Sequence, residues 1–304
     1  MKPNRVFRLC AAALSALLLL PLYACEKETE SASLSTTAPL DEAIVTAAAR
    51  SETDDVVFDT YVILNDENTT INGSGAAFAD SVLTVQAPGA YHLRGTLSDG
   101  AIVIDTKESD EVALFLDGVV LHCDDGAPLS IESAPGGARL VLAQDSVNRF
   151  SDGERYQNGT AGNEPAVIFC ADDLTIEGDG LLSVTGEQNG ITADSLTITG
   201  CTLLVDTEND SFQAGNTFAV NGGSLLACAG SGGDCTIDGT HLNVCGSYPA
   251  GTVLRVLTSD GSELLQTTVT HDCARILIAD SRLVRGASYG VAADGAIAET
   301  VTAN

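Results

Sequence analysis

Hydrophobic and polar residues follow the same order in three stretches near the middle of the chain, at 172–184, 194–206 and 216–228. Each stretch holds two short apolar bursts separated by a turn that contains glycine. The first apolar position recurs at a constant spacing, at Leu174, Leu196 and Phe218. A fixed period of about 22 residues with two short strands per repeat predicts a parallel β-solenoid.

In such a solenoid, equivalent residues of successive coils stack in columns about 4.8 Å apart. Two columns are expected inside the coils, namely Leu174, Leu196, Phe218 and Ile176, Ile198, Val220. A column of Gly178, Gly200 and Gly222 is expected at a corner that needs an unusual backbone angle. The alternative all-β architecture, a β-sandwich, has short strands too, but it does not return the same side chains at a constant spacing.

The rest of the chain extends this interpretation to an all-β domain organisation. Strand candidates begin near residue 56, a polar insertion occupies 151–165, and a shortened coil continues through Ile237 and 242–244. Residues 251–304 are read as antiparallel strands that cap the solenoid, whose last coil otherwise exposes an open sheet edge. We therefore predict a parallel β-helix at 56–250 and a C-terminal β cap at 251–304.

The N-terminus has the features of a secretory signal. Three basic residues precede an apolar run that ends at 22–25 with Leu-Tyr-Ala-Cys, which is similar to a bacterial lipobox. We predict a lipoprotein signal peptide at 1–24, lipidation of Cys25 and a flexible tether at 25–55. The localisation expected from this is extracytoplasmic, on the cell membrane or cell surface. An ordinary signal peptide followed by a chance cysteine is the alternative.

Charge limits the partners of the chain. The formal net charge is −28, and residues 1–24 contain three of the 14 basic residues and no acidic one. Such a surface repels nucleic acid and anionic lipid but attracts metal cations. We expect a monomer that binds no nucleic acid. The seven cysteines after Cys25 include no Cys-x-x-Cys pair, and we interpret them as apolar fillers, with a short Cys228–Cys235 bridge as the alternative.

Acidic and amide side chains recur on the outward side of the repeat. Asp172, Asp194 and Asn216 share one column, Asn189 and Asp210 lie before it on successive coils, and Asp173 and Glu164 are close to the first coil. Stacked carboxylates repel unless a cation lies between them. Oxygen ligands with no nearby His or Cys favour Ca²⁺. The metal ligands predicted are Glu164, Asp172, Asp173, Asn189, Asp194 and Asp210, although Asp and Asn also commonly end turns.

No catalytic residue is predicted. Residues 156–254 contain no Lys or Arg, so the repeat lacks the strong base that a pectate-type lyase uses. Asp172 and Asp173 point to opposite faces of a strand and do not form the carboxylate pair of a glycoside hydrolase. His241 and His271 have no evident Ser or Cys partner and are interpreted as ordinary surface or core histidines.

Five segments in order resemble a family of bacterial carbohydrate-binding domain-containing proteins: 84–100, 112–119, 164–176, 189–198 and 278–289. The resemblance covers about residues 57–292. It implies a right-handed parallel β-helix of polysaccharide-lyase type that binds calcium, cellulose and acidic, pectin-like sugars, with no demonstrated lyase activity. The chain keeps the family's pattern at 189–191 and 194–196, departs from it at 210–212 and 215–217, and has fewer coils.

Three functions follow for testing. The first is a cell-surface lipoprotein that binds an acidic, polygalacturonate-like or cellulosic polysaccharide through a calcium-bearing β-helix. The second is a structural or adhesive surface solenoid in which calcium stiffens the coils and no specific sugar binds. The third is a polysaccharide lyase or hydrolase.

Overall fold

A computed structural model describes residues 56–154, 156, 165–231 and 236–304. The described residues form strands and turns and contain no helix, which confirms the predicted all-β class. None of them belongs to a helix that could cross a membrane. The predicted signal peptide, tether and Cys25 lie outside the described residues, and so do Glu164 and Cys235.

Most strands belong to three parallel ladders that the chain visits in turn. Ladder A contains β4 (Val82–Val85), β6 (Ala101–Asp105), β8 (Leu129–Ser133), β11 (Ala166–Cys170) and the first halves of β14 (Asn189–Thr199) and β16 (Phe212–Val220). Ladder B contains β1 (Thr60–Leu64), the first halves of β5 (Gly89–Leu97) and β7 (Val112–Cys123), β9 (Ala138–Leu142), β12 (Asp173–Gly178) and the second halves of β14 and β16. Ladder C contains the second halves of β5 and β7, β10 (Val147–Asp152), β13 (Leu181–Gly186), β15 (Thr202–Thr207) and β17 (Ser224–Ala229).

The register of ladder B confirms the predicted inward columns. Leu174 pairs with Leu196, which pairs with Phe218, so the spacing seen in the sequence is the length of one coil in this stretch. Earlier coils are longer: Val112 pairs with Ala138, and Ala138 pairs with Leu174. The second of these coils contains the insertion at 151–165. The constant period therefore describes the regular coils rather than the whole solenoid, because the turns differ in length while the strands stay in register.

The interior of the coils is filled by aliphatic side chains, and most of these are completely buried. Leu196 is 0% exposed between its column neighbours. Burial of this kind stabilises a fold by about 25 cal/mol per Å² of apolar surface. The interpretation of the cysteines as apolar fillers holds for five of them. These five are free and buried, namely Cys123, Cys170, Cys201, Cys228 and Cys273, whereas Cys245 is free and exposed.

Both ends of the solenoid carry antiparallel strands. At the start, β2 (Thr70–Gly73) pairs with β1 and β3 (Ala76–Ala79) pairs with β4. At the other end, β21 (Cys273–Asp280) pairs with β17 and with β18 (His241–Tyr248). The predicted shortened coil is therefore only partly correct. Asp238 makes a parallel bridge to Ala219, but 242–244 run antiparallel to β21.

A separate four-stranded antiparallel sheet follows, in the order β20 (Glu263–Thr268), β19 (Val253–Leu257), β22 (Ser288–Ala293), β23 (Ala296–Thr302). A second apolar cluster joins this C-terminal segment to the outward side of ladder C, through Leu204 and Leu226 on one side and Leu254, Val256 and Val291 on the other. The C-terminal segment therefore covers the last part of ladder C, whereas most outward side chains of ladders A and B are half-buried or exposed.

Asp280 attaches the end of β21 to the start of β17. Its side chain is 2% exposed, and it accepts hydrogen bonds from Ser224 Oγ at 2.8 Å and from Arg282 Nε and Nη2 at 2.8 Å each. Burial alone would raise the pKa of Asp280, but these donors outweigh burial and hold the pKa below its usual range.

We expect Asp280→Asn to lower the free energy of unfolding by about 2 kcal/mol at pH 7, because it replaces charge-assisted hydrogen bonds with neutral ones. A carboxyl with a lowered pKa stabilises the fold above its unfolded pKa of about 4 and loses that contribution as the pH falls further. Urea unfolding from pH 7 down to pH 3 checks this. The difference between the two proteins should shrink as the pH falls below about 4, and a constant difference would refute the role of the charge.

Candidate functional site

The outward side of ladder A, here called face A, carries a column of side chains that runs along the solenoid. Val103 pairs with Ser130, Ser130 with Phe169, Phe169 with Thr192 and Thr192 with Gln213. Every member is half-buried, as expected for a side chain that points out of a sheet between neighbours. With strands about 4.8 Å apart, the six strands of ladder A present a surface about 24 Å long.

The first part of this column lines a groove of about 450 Å³. Two aromatic side chains, Tyr156 and Phe169, form part of its wall. Four carboxylates also line it: Asp80, Asp99, Asp125 and Glu132. Sequence reasoning missed this groove, because its members come from turns of unequal length and show no repeat. The alternation of apolar and polar residues at 129–133 was the available signal for an outward row.

Tyr156 is tied to a buried carboxyl behind this groove. Its hydroxyl donates to Asp152 Oδ2, while Asp152 Oδ1 accepts from the Glu187 amide at 2.8 Å. Burial raises the pKa of Asp152 and also that of Tyr156. Both carboxyl oxygens of Asp152 already have protein donors. The raised pKa of Asp152 therefore belongs to a structural contact and does not supply an open proton donor.

The second part of the column lines a groove of about 660 Å³, to which β14 and β16 contribute most of the lining residues. Its polar wall holds Asp194, Asp210, Gln213 and Asn216. Its apolar part includes Phe212 and Phe218, whose ring centroids are 4.7 Å apart. This groove collects two predicted metal ligands, Asp194 and Asp210, together with Asn216 from the predicted column.

Short contacts join the polar groups of this second groove. Asn216 Nδ2 donates to Asp194 Oδ2 at 2.9 Å, and Gln213 Nε2 donates to Asp210 Oδ2 at 3.2 Å. Ser231 donates to the other oxygen of Asp210. An amide that turns over about its last torsion presents its oxygen in place of its nitrogen. Asp194 with Asn216, and Asp210 with Gln213, therefore each offer a carboxylate and an amide oxygen, which are ligands that Ca²⁺ accepts.

The remaining predicted ligands lie elsewhere. Asp172 precedes Asp194 in its column, but its Oδ2 accepts from the Ala134 amide at 2.6 Å. Asn189 is buried, and its Oδ1 accepts from the Asp210 amide at 3.2 Å, so it supports the turn rather than reaching the groove. Asp173 is exposed at the start of β12, in register with Ser195.

In a different group of side chains, three possible metal-ligating atoms lie within 4.8 Å of one another. Among the described His, Cys, Asp and Glu residues, the group consists of Glu187, Glu208 and His271. His271, interpreted from the sequence as an ordinary histidine, thus has carboxylate neighbours that no local pattern indicated. Its hydrogen bond to Asp206 raises the pKa of His271, against the opposing effect of burial. Sequence reasoning missed the group because its members come from distant parts of the chain.

Comparison with known proteins gives the family. A family model described as "Carbohydrate-binding domain-containing protein" matches residues 79–243, which include all the described residues that line the two grooves. A carbohydrate-binding domain-containing protein of Acetivibrio thermocellus is 35% identical over 154 residues, covering 49% of this chain and 52% of that relative. The chain thus spans about half the length of this curated relative.

One solved structure is also similar. It is that of the polysaccharide lyase-like protein from C. thermocellum, as a gadolinium derivative, with 20% identity and a TM-score of 0.44 over 59% of this chain and 97% of that chain. The family assignment rests on the family model, whose match covers more than half of the 304 residues. The chain belongs to the family of carbohydrate-binding domain-containing proteins.

Proposed function

We propose that the chain binds an acidic polysaccharide along face A, with Ca²⁺ held in the second groove between protein and sugar carboxylates. The observation that carries the proposal is the meeting of Asp194, Asp210 and Asn216 in one groove on an open face. Membership of a carbohydrate-binding family supplies the ligand class. The acidic character of the sugar is our inference from the chemistry of the groove.

The shape of the solenoid supports face A as the binding surface. The C-terminal segment covers the last part of ladder C through the second apolar cluster. Ladder B carries ion pairs on its outward side, such as those of Arg139 with Glu111 and Glu177. Face A instead carries two adjoining grooves along one column. A long, open groove suits a linear polymer better than a small molecule, which requires an enclosed pocket.

The charge of the groove explains why a cation is part of the proposal. No Lys, Arg or His lines the second groove among the described residues, so a uronate carboxylate would meet only carboxylates and amides there. Like charges about 5 Å apart repel by roughly 1 kcal/mol even in water. Ca²⁺ takes six to eight oxygen ligands and keeps some from water, so protein and sugar oxygens fit in one coordination shell.

The proposed localisation of the chain rests on the N-terminal sequence features. We place the chain outside the cytoplasm, anchored through lipidated Cys25, with a right-handed coil, the hand that strand twist favours for parallel crossovers. The proposal assigns no catalysis. The raised-pKa carboxyl Asp152 has protein donors on both oxygens, and neither groove has a Lys or Arg among the described residues that line it.

The test is retention of the purified full chain on immobilised polygalacturonate. With excess Ca²⁺ the wild type should be retained, and EDTA should release it. The double substitution Asp194→Asn and Asp210→Asn should weaken calcium-dependent retention by about tenfold or more, which corresponds to about 1.4 kcal/mol. The matched control is Asp145→Asn with Asp179→Asn, which also removes two charges, at exposed turns outside both grooves.

Three outcomes would contradict the proposal. Retention unchanged in EDTA would show that binding does not require calcium. If the chain bound only uncharged cellulose and EDTA had no effect, the binding site would be the aromatic wall of the first groove instead. A higher melting temperature with Ca²⁺ but no retention on any polysaccharide would favour a structural solenoid.

A further inference from the structure

Three side chains meet just beyond the C-terminal ends of two strands of ladder C. Glu187 follows β13, Glu208 follows β15, and His271 precedes β21. One ligand atom from each lies within 4.8 Å of the other two. His271 Nε2 lies 3.8 Å from Glu187 Oε1. This spacing is too long for a strong hydrogen bond and leaves room between the atoms.

The imidazole of His271 is oriented by a buried carboxylate. Asp206 has a side chain that is 1% exposed, and its Oδ1 lies 3.2 Å from His271 Nδ1. The other oxygen of Asp206 accepts from the Thr270 amide at 2.7 Å and from the Thr270 hydroxyl. With Nδ1 held by Asp206, Nε2 is directed to the two glutamates. Metal-ligating histidines usually donate their other ring N–H to a carboxylate in this way.

The two glutamates are held by the backbone of the coils. The Glu208 amide donates to the Gly186 carbonyl at 3.0 Å, and the Glu187 amide donates to Asp152 Oδ1 at 2.8 Å. They therefore follow neighbouring strands of one ladder, about 4.8 Å apart, where their charges repel. A cation between them relieves that repulsion. The imidazole nitrogen of His271 gives this group a ligand that the oxygen-only second groove lacks.

We propose that Glu187, Glu208 and His271 bind a divalent first-row transition metal of the zinc type, which fastens the segment before β21 to the turns of ladder C. One imidazole and two carboxylates are common zinc ligands, with water completing a tetrahedral site. His271 lies outside the residues that the family model matches. The proposal is independent of the calcium groove, because it uses different residues on a different ladder.

Isothermal titration of Zn²⁺ into the purified full chain, in buffer that already contains Ca²⁺, tests the site. Wild type should bind one equivalent that is lost or weakened by about tenfold or more in Glu208→Gln and in His271→Ala. The Glu208 substitution keeps shape at an exposed position, so the fold should survive it. Glu299→Gln, at an exposed position of β23, is the matched control and should titrate like wild type.

A second readout separates this site from adventitious binding to thiols. The Co²⁺-loaded chain should show visible d–d absorption without the near-ultraviolet thiolate-to-cobalt band that exposed Cys245 would give, and Zn²⁺ should displace it. Zn²⁺ should also raise the melting temperature of wild type but not of Glu208→Gln. Absence of zinc binding in wild type would overturn the proposal. If Glu208→Gln and His271→Ala bound zinc as tightly as wild type, the metal would bind elsewhere on the chain.

Discussion

Gly178→Ala is expected to lower the free energy of unfolding by about 4 kcal/mol. Of this, about 1–2 kcal/mol is the cost of placing alanine at a positive φ, and about 1–3 kcal/mol is the cost of overpacking by the new methyl group. Gly178 has φ +110°, and a Cβ built there would lie 2.3 Å from the carbonyl oxygen of Leu142 on the preceding coil. That carbonyl belongs to a ladder strand and cannot move without disturbing the register. The new methyl group therefore forces two coils apart.

Gly222→Ala is the matched control, because the two glycines occupy the same column. Gly222 has φ +96°, but a Cβ there meets no atom within 4 Å. It should therefore cost only the backbone part, about 1–2 kcal/mol. Urea unfolding measures the free energy of unfolding of both variants, and the difference between the two values is the cost of the clash. Equal losses would show that the glycines serve only their backbone angle and that the coils do not approach as closely as described.

Leu196→Ala is expected to lower the free energy of unfolding by about 3 kcal/mol, within the range of about 2–5 that buried leucines give. Leu196 is 0% exposed and lies in the middle of its inward column, between Leu174 and Phe218. Neighbouring coils are held by backbone hydrogen bonds on all three ladders. They cannot collapse into the space, so a cavity remains.

The neighbouring outward residue supplies the control for that cavity. Thr197→Ala removes atoms from the same strand on its half-exposed side, where no cavity forms, and should cost less than about 1 kcal/mol. Thermal and urea unfolding of the pair measures the difference. If Leu196→Ala cost no more than Thr197→Ala, the column would not be the packed interior of the solenoid.

The regular part of the fold is predictable from the sequence for a physical reason. Parallel coils repeat the same environment, so Leu174, Leu196 and Phe218 experience the same neighbours and the sequence keeps the same kind of residue. The corner glycines are predictable in the same way, and all three have positive φ. Where turn lengths vary, as between β9 and β12, the environment no longer repeats in sequence and the period disappears.

The ends of the solenoid and the sites are harder to predict. β21 pairs antiparallel with both β17 and β18, which lie well before it in the chain, and no local pattern specifies that pairing. Asp194 and Asp210 reach one groove because β14 and β16 are neighbours in ladder A. In sequence, Asp172 and Asn189 look equivalent to Asp194 and Asp210. Their side-chain oxygens, however, accept hydrogen bonds from the backbone amides of Ala134 and Asp210. Only the turn geometry separates ligand candidates from turn supports.

The most direct test of the central claim is a crystal structure of the chain with Ca²⁺ and a short oligogalacturonide. We expect an anomalous calcium peak coordinated by Asp194 or Asp210, with sugar carboxylate oxygens in the same coordination shell and the sugar chain following the column from Gln213 towards Phe169. A calcium ion bound away from the second groove, or a sugar chain on ladder B with face A empty, would contradict it.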